Sequence, residues 1–346
     1  MDVLTFDRLP ARIEDEEHLE DLLSTPTAAL IEDLAAVDGD IMVLGVGGKV
    51  GPTLARLAKR AAPEKRVIGV ARFSDGAVRG RLDSWGVETL ACDLLDREAV
   101  AALPKVKNVV YMAGKKFGTE QDKPFAWAMN ALVPALVAEA FRDSRIVAFS
   151  TLCIYPFAPV VTEGWDERVA PFPPGEYANS CVGRERMFEF FSQRHGTPGR
   201  LMRLNYAIET RYGVLHDIAS WVRDRRPIPI AMGQANVIWQ GDASSQMLRA
   251  FRHCTTPTSP INVGSPHAAS VRTLATIFGE RFGIEPIYDG VEALDASVND
   301  TSLSQRLFGL PLVPLPLMID WVADWMDRGL PTHGKPTRYE VRDGRF

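Results

Sequence analysis

The run Gly45-Val46-Gly47-Gly48-Lys49-Val50-Gly51 constrains this chain more than any other feature. A short apolar segment, Ile41 to Gly45, leads into it. Pro52-Thr53-Leu54-Ala55-Arg56-Leu57 leads out as a helical start, with proline where no amide donor is needed. A strand that turns straight into a helix sets the helix N-terminus, with its unpaired amides and partial positive charge, at the strand's end. Glycines at 45, 48 and 51 make the turn tight, let the backbone approach a diphosphate and let the helix pack on the strand. The amides of Lys49 and Val50 are the expected anion donors. The spacing departs from the commoner GxGxxG, which needs glycine at 50, where valine stands. The strand before, the helix after and a second strand ending at Ala71 together predict a dinucleotide-binding loop.

The rest of the first half repeats that alternation. Apolar runs from Arg66 to Ala71, Val87 to Ala91, Val106 to Ala113 and Ser144 to Ser150 read as strands. Between them lie helical stretches at Pro52 to Ala62, around Leu82, and from Lys123 to Phe141. Strands of this kind, separated by helices, predict a Rossmann-type, doubly wound α/β fold with a parallel sheet covered on both faces. That domain is expected over 40–205, with a smaller mixed α/β substrate lobe over 206–330, a helical cap over 1–39 and a tail over 331–346. In the cap, Glu14 to Leu23 reads as a short helix. A second helix follows, with Thr25 as its cap and Pro26 in its first position, and Gly39 ends it. Prolines 156, 159, 171, 173 and 174 forbid regular structure in one long crossing loop, before a helix from Gly175 to His195 and a strand from Arg200 to Tyr206.

Composition removes several function classes. The net charge is -5 and the basic residues are scattered, so no nucleic-acid footprint is present. The longest apolar stretches, Ile41 to Val46 and Ala131 to Ala138, are too short to span a bilayer, and the N-terminus lacks a basic-then-apolar export signal. Cys92, Cys153, Cys181 and Cys254 show no CxxC pairing and read as free thiols of a cytoplasmic protein. The histidines form no HxH or HxxxH cluster, so no metal site is expected. The end of the second strand bears on the cofactor. It reads Val70-Ala71-Arg72-Phe73-Ser74, without the acid that grips ribose hydroxyls, and Arg72 suits a 2′-phosphate. NADP is therefore favoured over NAD, although an arginine there can also simply stack on adenine.

With these residues in place, the chain over about 40–325 resembles the extended short-chain dehydrogenase/reductase superfamily, the NAD-dependent epimerase/dehydratase group. Cys92-Asp93-Leu94-Leu95-Asp96 is similar to the segment in which the resemblance puts Asp93 and Leu94 beside the adenine. Val109-Val110-Tyr111-Met112-Ala113-Gly114 resembles the fourth strand, whose Ala113 and Gly114 would lie under the cofactor. Asn130 matches a helix asparagine that recurs in the group. Phe149-Ser150-Thr151-Leu152-Cys153-Ile154-Tyr155 puts Thr151 where the catalytic Ser/Thr belongs, and Tyr177 stands at the YxxxK tyrosine. The stretches Val237 to Ala243 and Ile261 to Ser265 look like signatures of the group's substrate lobe. The resemblance also implies a homodimer through helices 123–141 and 177–195.

One departure matters chemically. Moving a hydride to or from a carbonyl carbon requires a proton at its oxygen. A tyrosine can handle that proton once its pKa of about 10 is lowered by a nearby cation. In the group the cation is a lysine four residues after the tyrosine; here that residue is Cys181, which supplies no positive charge. Arg184, on the same helical face, and Lys115 or Lys116, after the fourth strand, are the possible substitutes. Lys116 is preferred, because a member of the group keeps a lysine beside its cofactor there. A second departure is Asn236, which stands where nucleotide-sugar members carry a diphosphate-binding arginine. Arg203, Arg211 and Arg223 are alternative clamps, more readily read as ordinary ion-pair partners. The expected substrate is thus a smaller polyol, sugar or sugar acid, with Thr151, Asn205, Asn236 and Gln240 as polar contacts. The function that follows is an NAD(P)-dependent oxidoreductase, epimerase or dehydratase. The rival reading is a redox-silent dinucleotide-binding protein. The tail is free to fold over the pocket or over a partner subunit.

Overall fold

The structure, a computed structural model, describes residues 2–345. In the cap, helix α1 (Glu16–Leu23) starts at Asp15, whose carboxylate accepts the His18 amide, and α2 (Ala28–Ala35) starts at Thr27, whose hydroxyl accepts the Leu30 amide. The cap of α2 is therefore Thr27 rather than the expected Thr25. The Thr25 hydroxyl donates instead to the Asp21 carbonyl, and the Pro26 carbonyl accepts the Leu4 amide, so both residues are held outside the helix. Charges then tie the cap to its surroundings. Asp21 pairs with Arg56 and Arg60, Asp33 with Arg249 and Arg252, and the Glu14 carbonyl accepts from Arg328.

Seven strands form one parallel sheet: β1 (Ile41–Leu44), β2 (Val67–Ala71), β3 (Glu88–Ala91), β4 (Asn108–Tyr111), β5 (Arg145–Thr151), β6 (Gly199–Leu204) and β7 (Ser259–Val263). Their order is β7-β6-β5-β4-β1-β2-β3, with Ile41 opposite both Val67 and Asn108. Alternate residues of β1 enter opposite cores: Ile41 and Val43 on one face, Met42 and Leu44 on the other. Burial on both faces is why this strand reads as a continuous apolar run. The chain winds outward from β1 to β3 and then returns to β4 on the other side of β1. This opens a crevice at the strands' carboxyl ends. The edge strand β7 comes from residues that the sequence assigns to the second lobe.

Helix α3 (Gly51–Ala61) follows β1, and α4 (Gly76–Ser84), which carries Leu82, follows β2. Helix α5 (Arg97–Ala102) follows β3. The expected helix 123–141 is α6 (Lys123–Trp127) and α7 (Val133–Ala140) joined through a π-turn, Ala128–Leu132. Such turns interrupt helices chiefly where function needs a side chain re-aimed, and this one carries Asn130. Helix α8 (Gly175–His195) ends at Gly196 in the left-handed conformation, φ 73°.

Helices α9 (Val214–Arg223), α11 (Val271–Phe282) and α13 (Leu315–Asp327) pack in a second core with Trp239, Trp321 and Trp325, whereas α10 (Gln240–Arg249) and α12 (Ser302–Phe308) send Met247, Leu248 and Phe308 into the core that holds Ile41 and Val43. Among the described residues no helix is long and apolar enough to cross a membrane, and no three His, Cys, Asp or Glu side chains are grouped to hold a metal.

Candidate active site

The glycine loop has the geometry its spacing implies. Gly45 sits at φ 91°, where a Cβ would lie 2.7 Å from the Ala113 amide nitrogen. At Gly51 a Cβ would lie 2.2 Å from the Val46 carbonyl oxygen, so only glycine lets α3 begin this close to β1. The Gly48 and Gly51 amides close turns onto Gly45 and Gly48, while those of Lys49 and Val50 donate to no backbone carbonyl among the described residues. A cleft of 270 Å3 runs from Gly45, Gly47 and Gly48 past Arg72 and Asp93 to Met112, Ala113 and Gly114. Leu94 lines it too, and the Asp93 carboxylate accepts the Leu95 amide at 3.0 Å. The residues present therefore fit a dinucleotide. Gly51→Ala is expected to overpack the loop by roughly 1–3 kcal/mol and to weaken dinucleotide binding about tenfold or more. Titration of NADPH fluorescence checks this, and native affinity in the variant would count against the loop.

Lys49 extends the loop toward the second lobe. As a residue it is exposed, yet its ammonium lies 4.1 Å from the Tyr212 ring centre. Loss of solvent there lowers its pKa to about 8, opposed by Glu209 and assisted by Arg211 and Lys116.

A second cavity, also of 270 Å3, shares Met112, Ala113 and Gly114 with the cleft. Tyr177, Thr151, Lys116, Arg184 and Asn205 all line it. Local bonds hold each wall. Asn130 grips the end of β4, donating to the Lys115 carbonyl and accepting its amide, both at 2.9 Å. The Thr151 hydroxyl accepts the Cys153 amide at 3.2 Å and so also caps the turn after β5. Asn205 donates to Asn299 at 2.7 Å. Arg184 donates to the Phe149 carbonyl at 2.9 Å and to Asn130 at 2.8 Å. A Cβ on residue 114 would lie 2.3 Å from that guanidinium, so Gly114 makes its room.

The surroundings of Tyr177 favour its protonated form. Its pKa is raised well above the ordinary value, first by burial and then by Cys181 and Cys153, while Arg184 pulls the other way. Its hydroxyl and the Cys181 thiol are hydrogen-bonded, and burial raises the thiol as well. Lys116 lines the same cavity; it donates to the Thr337 carbonyl at 2.9 Å, and burial lowers its pKa.

The structure does not bring every expected residue together. Asn236 is bound to both the amide and the carbonyl of Ser265, and Gln240 donates to Thr53 at 3.3 Å; neither lines the cavity. Arg203, Arg211 and Arg223 are likewise no diphosphate clamp. They bind Glu185, Glu209 and the Met326 carbonyl respectively. Ser150, Cys153 and Tyr206 line the cavity without having been singled out as site residues. Ser150 and Cys153 flank Thr151, and Tyr206 follows Asn205, so adjacency to two expected residues was the available signal.

A scan against protein-family models gives no match, and no curated protein matches the chain. Solved structures do match. A UDP-glucose 4-epimerase of Thermus thermophilus, in complex with NAD, is similar with a TM-score of 0.68 and 19% identity, over 82% of this chain and 98% of that one. A UDP-glucuronic acid 4-epimerase of Bacillus cereus, in complex with UDP-glucuronic acid and NAD, gives 0.68 and 16% identity, over 84% and 99%. A UDP-glucose 4-epimerase of Thermotoga maritima, with UDP-glucose, gives 0.68 and 17% identity over the same shares. At such identities the likeness establishes architecture: the chain has the Rossmann-type α/β fold of these epimerases, nearly along their whole length.

Proposed function

We propose that the chain binds a nicotinamide dinucleotide, NADP(H) in preference to NAD(H), along the cleft from Arg72 to Gly114. There it oxidises or reduces a hydroxyl-bearing carbon of a sugar, sugar acid or similar polyol, either as a net oxidoreductase or as an epimerase or dehydratase. The observation that carries this reading is the shared wall. Tyr177 and Thr151 line a cavity bounded by Met112, Ala113 and Gly114, the same residues that end the glycine-loop cleft. The NAD complexes among the structures of the same fold support a nicotinamide dinucleotide; the NADP preference rests on Arg72.

When bound, the dinucleotide supplies the hydride donor or acceptor and, in its oxidised form, a positive ring charge. The chain's residues do the rest. The Lys49 and Val50 amides and the Lys49 ammonium hold the diphosphate, and Arg72 takes the 2′-phosphate through paired charge-assisted hydrogen bonds. Thr151 anchors the substrate oxygen. Tyr177 stays protonated at neutral pH because loss of solvent around its hydroxyl raises its pKa, and so is set to give its proton to an oxygen that is gaining charge. In the reverse direction it must first lose that proton, which the Arg184 guanidinium favours.

Fluorescence titration with NADPH and NADH tests the binding. Arg72→Ala is expected to cost roughly tenfold in NADPH affinity, the value of one charge-assisted contact, and to leave NADH nearly unchanged. No measurable affinity for either nucleotide would end this reading. The pH dependence follows from Lys49. An anion favours its charged form, so the bound pKa lies above the free value of about 8. Affinity is then level below pH 8 and falls as pH rises from the free pKa toward the bound one, by up to about tenfold per unit. Lys49→Met should flatten that profile.

A further inference from the structure

The tail after α13 forms no helix or strand, yet Thr337 and Tyr339 are 3% and 1% exposed. Its path can be followed contact by contact. The His333 amide donates to the Arg211 carbonyl at 3.2 Å, and its ring lies 3.3 Å from the Glu209 carboxylate, close to Lys49. The Thr337 amide and hydroxyl both donate to one Asp217 oxygen, at 2.7 and 2.6 Å, and the Thr337 carbonyl accepts from Lys116. The Tyr339 ring packs edge-on against Tyr206, 6.4 Å between centres, and 5.8 Å from Trp221. Arg342 pairs with Asp295. Gly344 then meets Gly175, the first residue of the helix that carries Tyr177, so closely that a Cβ there would lie 2.5 Å from the Gly344 carbonyl oxygen.

The tail thus runs along the second-lobe side of the active cavity, touching Lys116 and Tyr206 of its lining and the turn before Tyr177. The tail reaches that cavity through two residues of its lining, Lys116 and Tyr206. The Bacillus cereus epimerase is matched over 99% of its length and matches 84% of this chain, so this chain carries segments outside that fold. The tail also brings polar atoms into the interior. Tyr339 Oη and Glu340 Oε2 are buried with no hydrogen-bond partner among the described residues, a state that favours a polar ligand or water beside them.

We propose that residues 331–345 are a fixed strap that sets substrate size. Thr337 and Tyr339, held by Asp217, Lys116 and Tyr206, close the cavity against a nucleotide-linked molecule and leave room for a small polar one. The inference rests on the hydroxyl-carbon reading for what the substrate is, but the closure can be tested without any dinucleotide.

Cys153 is a half-buried free thiol in the cavity wall and reports on access. The native chain, Asp217→Ala, Thr337→Val and Tyr339→Ala are treated with methyl methanethiosulfonate or with the bulky fluorescein-5-maleimide. The labelling rate at Cys153 is read by peptide mass. Fluorescein-5-maleimide is expected to label Cys153 about tenfold or more faster in Asp217→Ala and Tyr339→Ala than in the native chain, the factor that losing a charge-assisted or well-packed contact implies. The small reagent should change by less. Equal maleimide rates in the native chain and the variants would overturn the strap. Thr337→Val, which removes one methyl-sized hydroxyl contact, carries the comparison if Asp217→Ala does not fold. Loss of dinucleotide binding would defeat the proposed function while leaving this result standing.

Discussion

Tyr177→Phe is expected to lower turnover by roughly 10²–10⁴-fold and to leave dinucleotide affinity nearly unchanged. The substitution removes one oxygen from the cavity wall and keeps the ring that packs beside Cys181 and Val182, so the loss reports on the proton and not on the fold. Direction matters as well. The Tyr177 pKa lies well above its ordinary value, so oxidation of an alcohol, which needs the phenolate, should rise with pH through the neutral range. Carbonyl reduction, which needs the phenol, should stay level there. Tyr206, a second half-buried phenol in the same cavity, is the control. If Tyr206→Phe carried the loss and Tyr177→Phe did not, the acid would have been misassigned. If turnover and cofactor affinity fell together in Tyr177→Phe, the residue would be a structural support.

How much of this the sequence could disclose depends on the range of the interactions involved. The glycine loop is legible because its requirements are local: a turn, a close backbone approach and a helix start within seven positions. The strands β1, β2 and β4 are legible because their residues enter two cores and leave a nearly unbroken apolar signature, whereas β3, with Glu88 exposed, is marked only by Val87 and Leu90. The cap of α2 is not legible. Thr25 and Thr27 are equally good caps in isolation, and the choice is made by a Leu4 amide that reaches the Pro26 carbonyl. The choice of substitute for the missing lysine is not legible for the same reason. Arg184 and Lys116 are both cations near Tyr177 in sequence terms, and only tertiary structure shows one guanidinium beneath Gly114 and one ammonium bound to a tail carbonyl 221 residues away. Asn236 and Gln240 look like substrate ligands because polar residues near a lobe signature usually are. Here the Ser265 backbone takes the hydrogen bonds of Asn236, and Thr53 accepts from the Gln240 amide.

The buried ion pair behind the cavity gives the largest expected effect on stability. Glu185 and Arg203 have side chains 0% and 3% exposed and meet through two hydrogen bonds, at 2.8 and 3.0 Å. Glu185 also accepts the Ser150 hydroxyl at 2.5 Å, and Arg203 donates to Tyr155 at 2.6 Å, which donates onward to Asn262 at 2.9 Å. The pair therefore joins α8, the end of β5 next to Thr151, and the edge strand β7. Removing one partner strands the other charge in the interior, so Arg203→Met or Glu185→Leu alone should cost about 3–5 kcal/mol. The two together should recover part of that, because no unpaired charge remains and the apolar side chains can pack. Ser150 still loses its acceptor, at about 1–3 kcal/mol, whereas Tyr155 keeps Asn262. Urea unfolding of the native chain, both single variants and the double variant measures the cycle. A double variant no more stable than either single one, or single losses below about 1 kcal/mol, would mean that this pair behaves like an exposed bridge and does not fix the cavity wall.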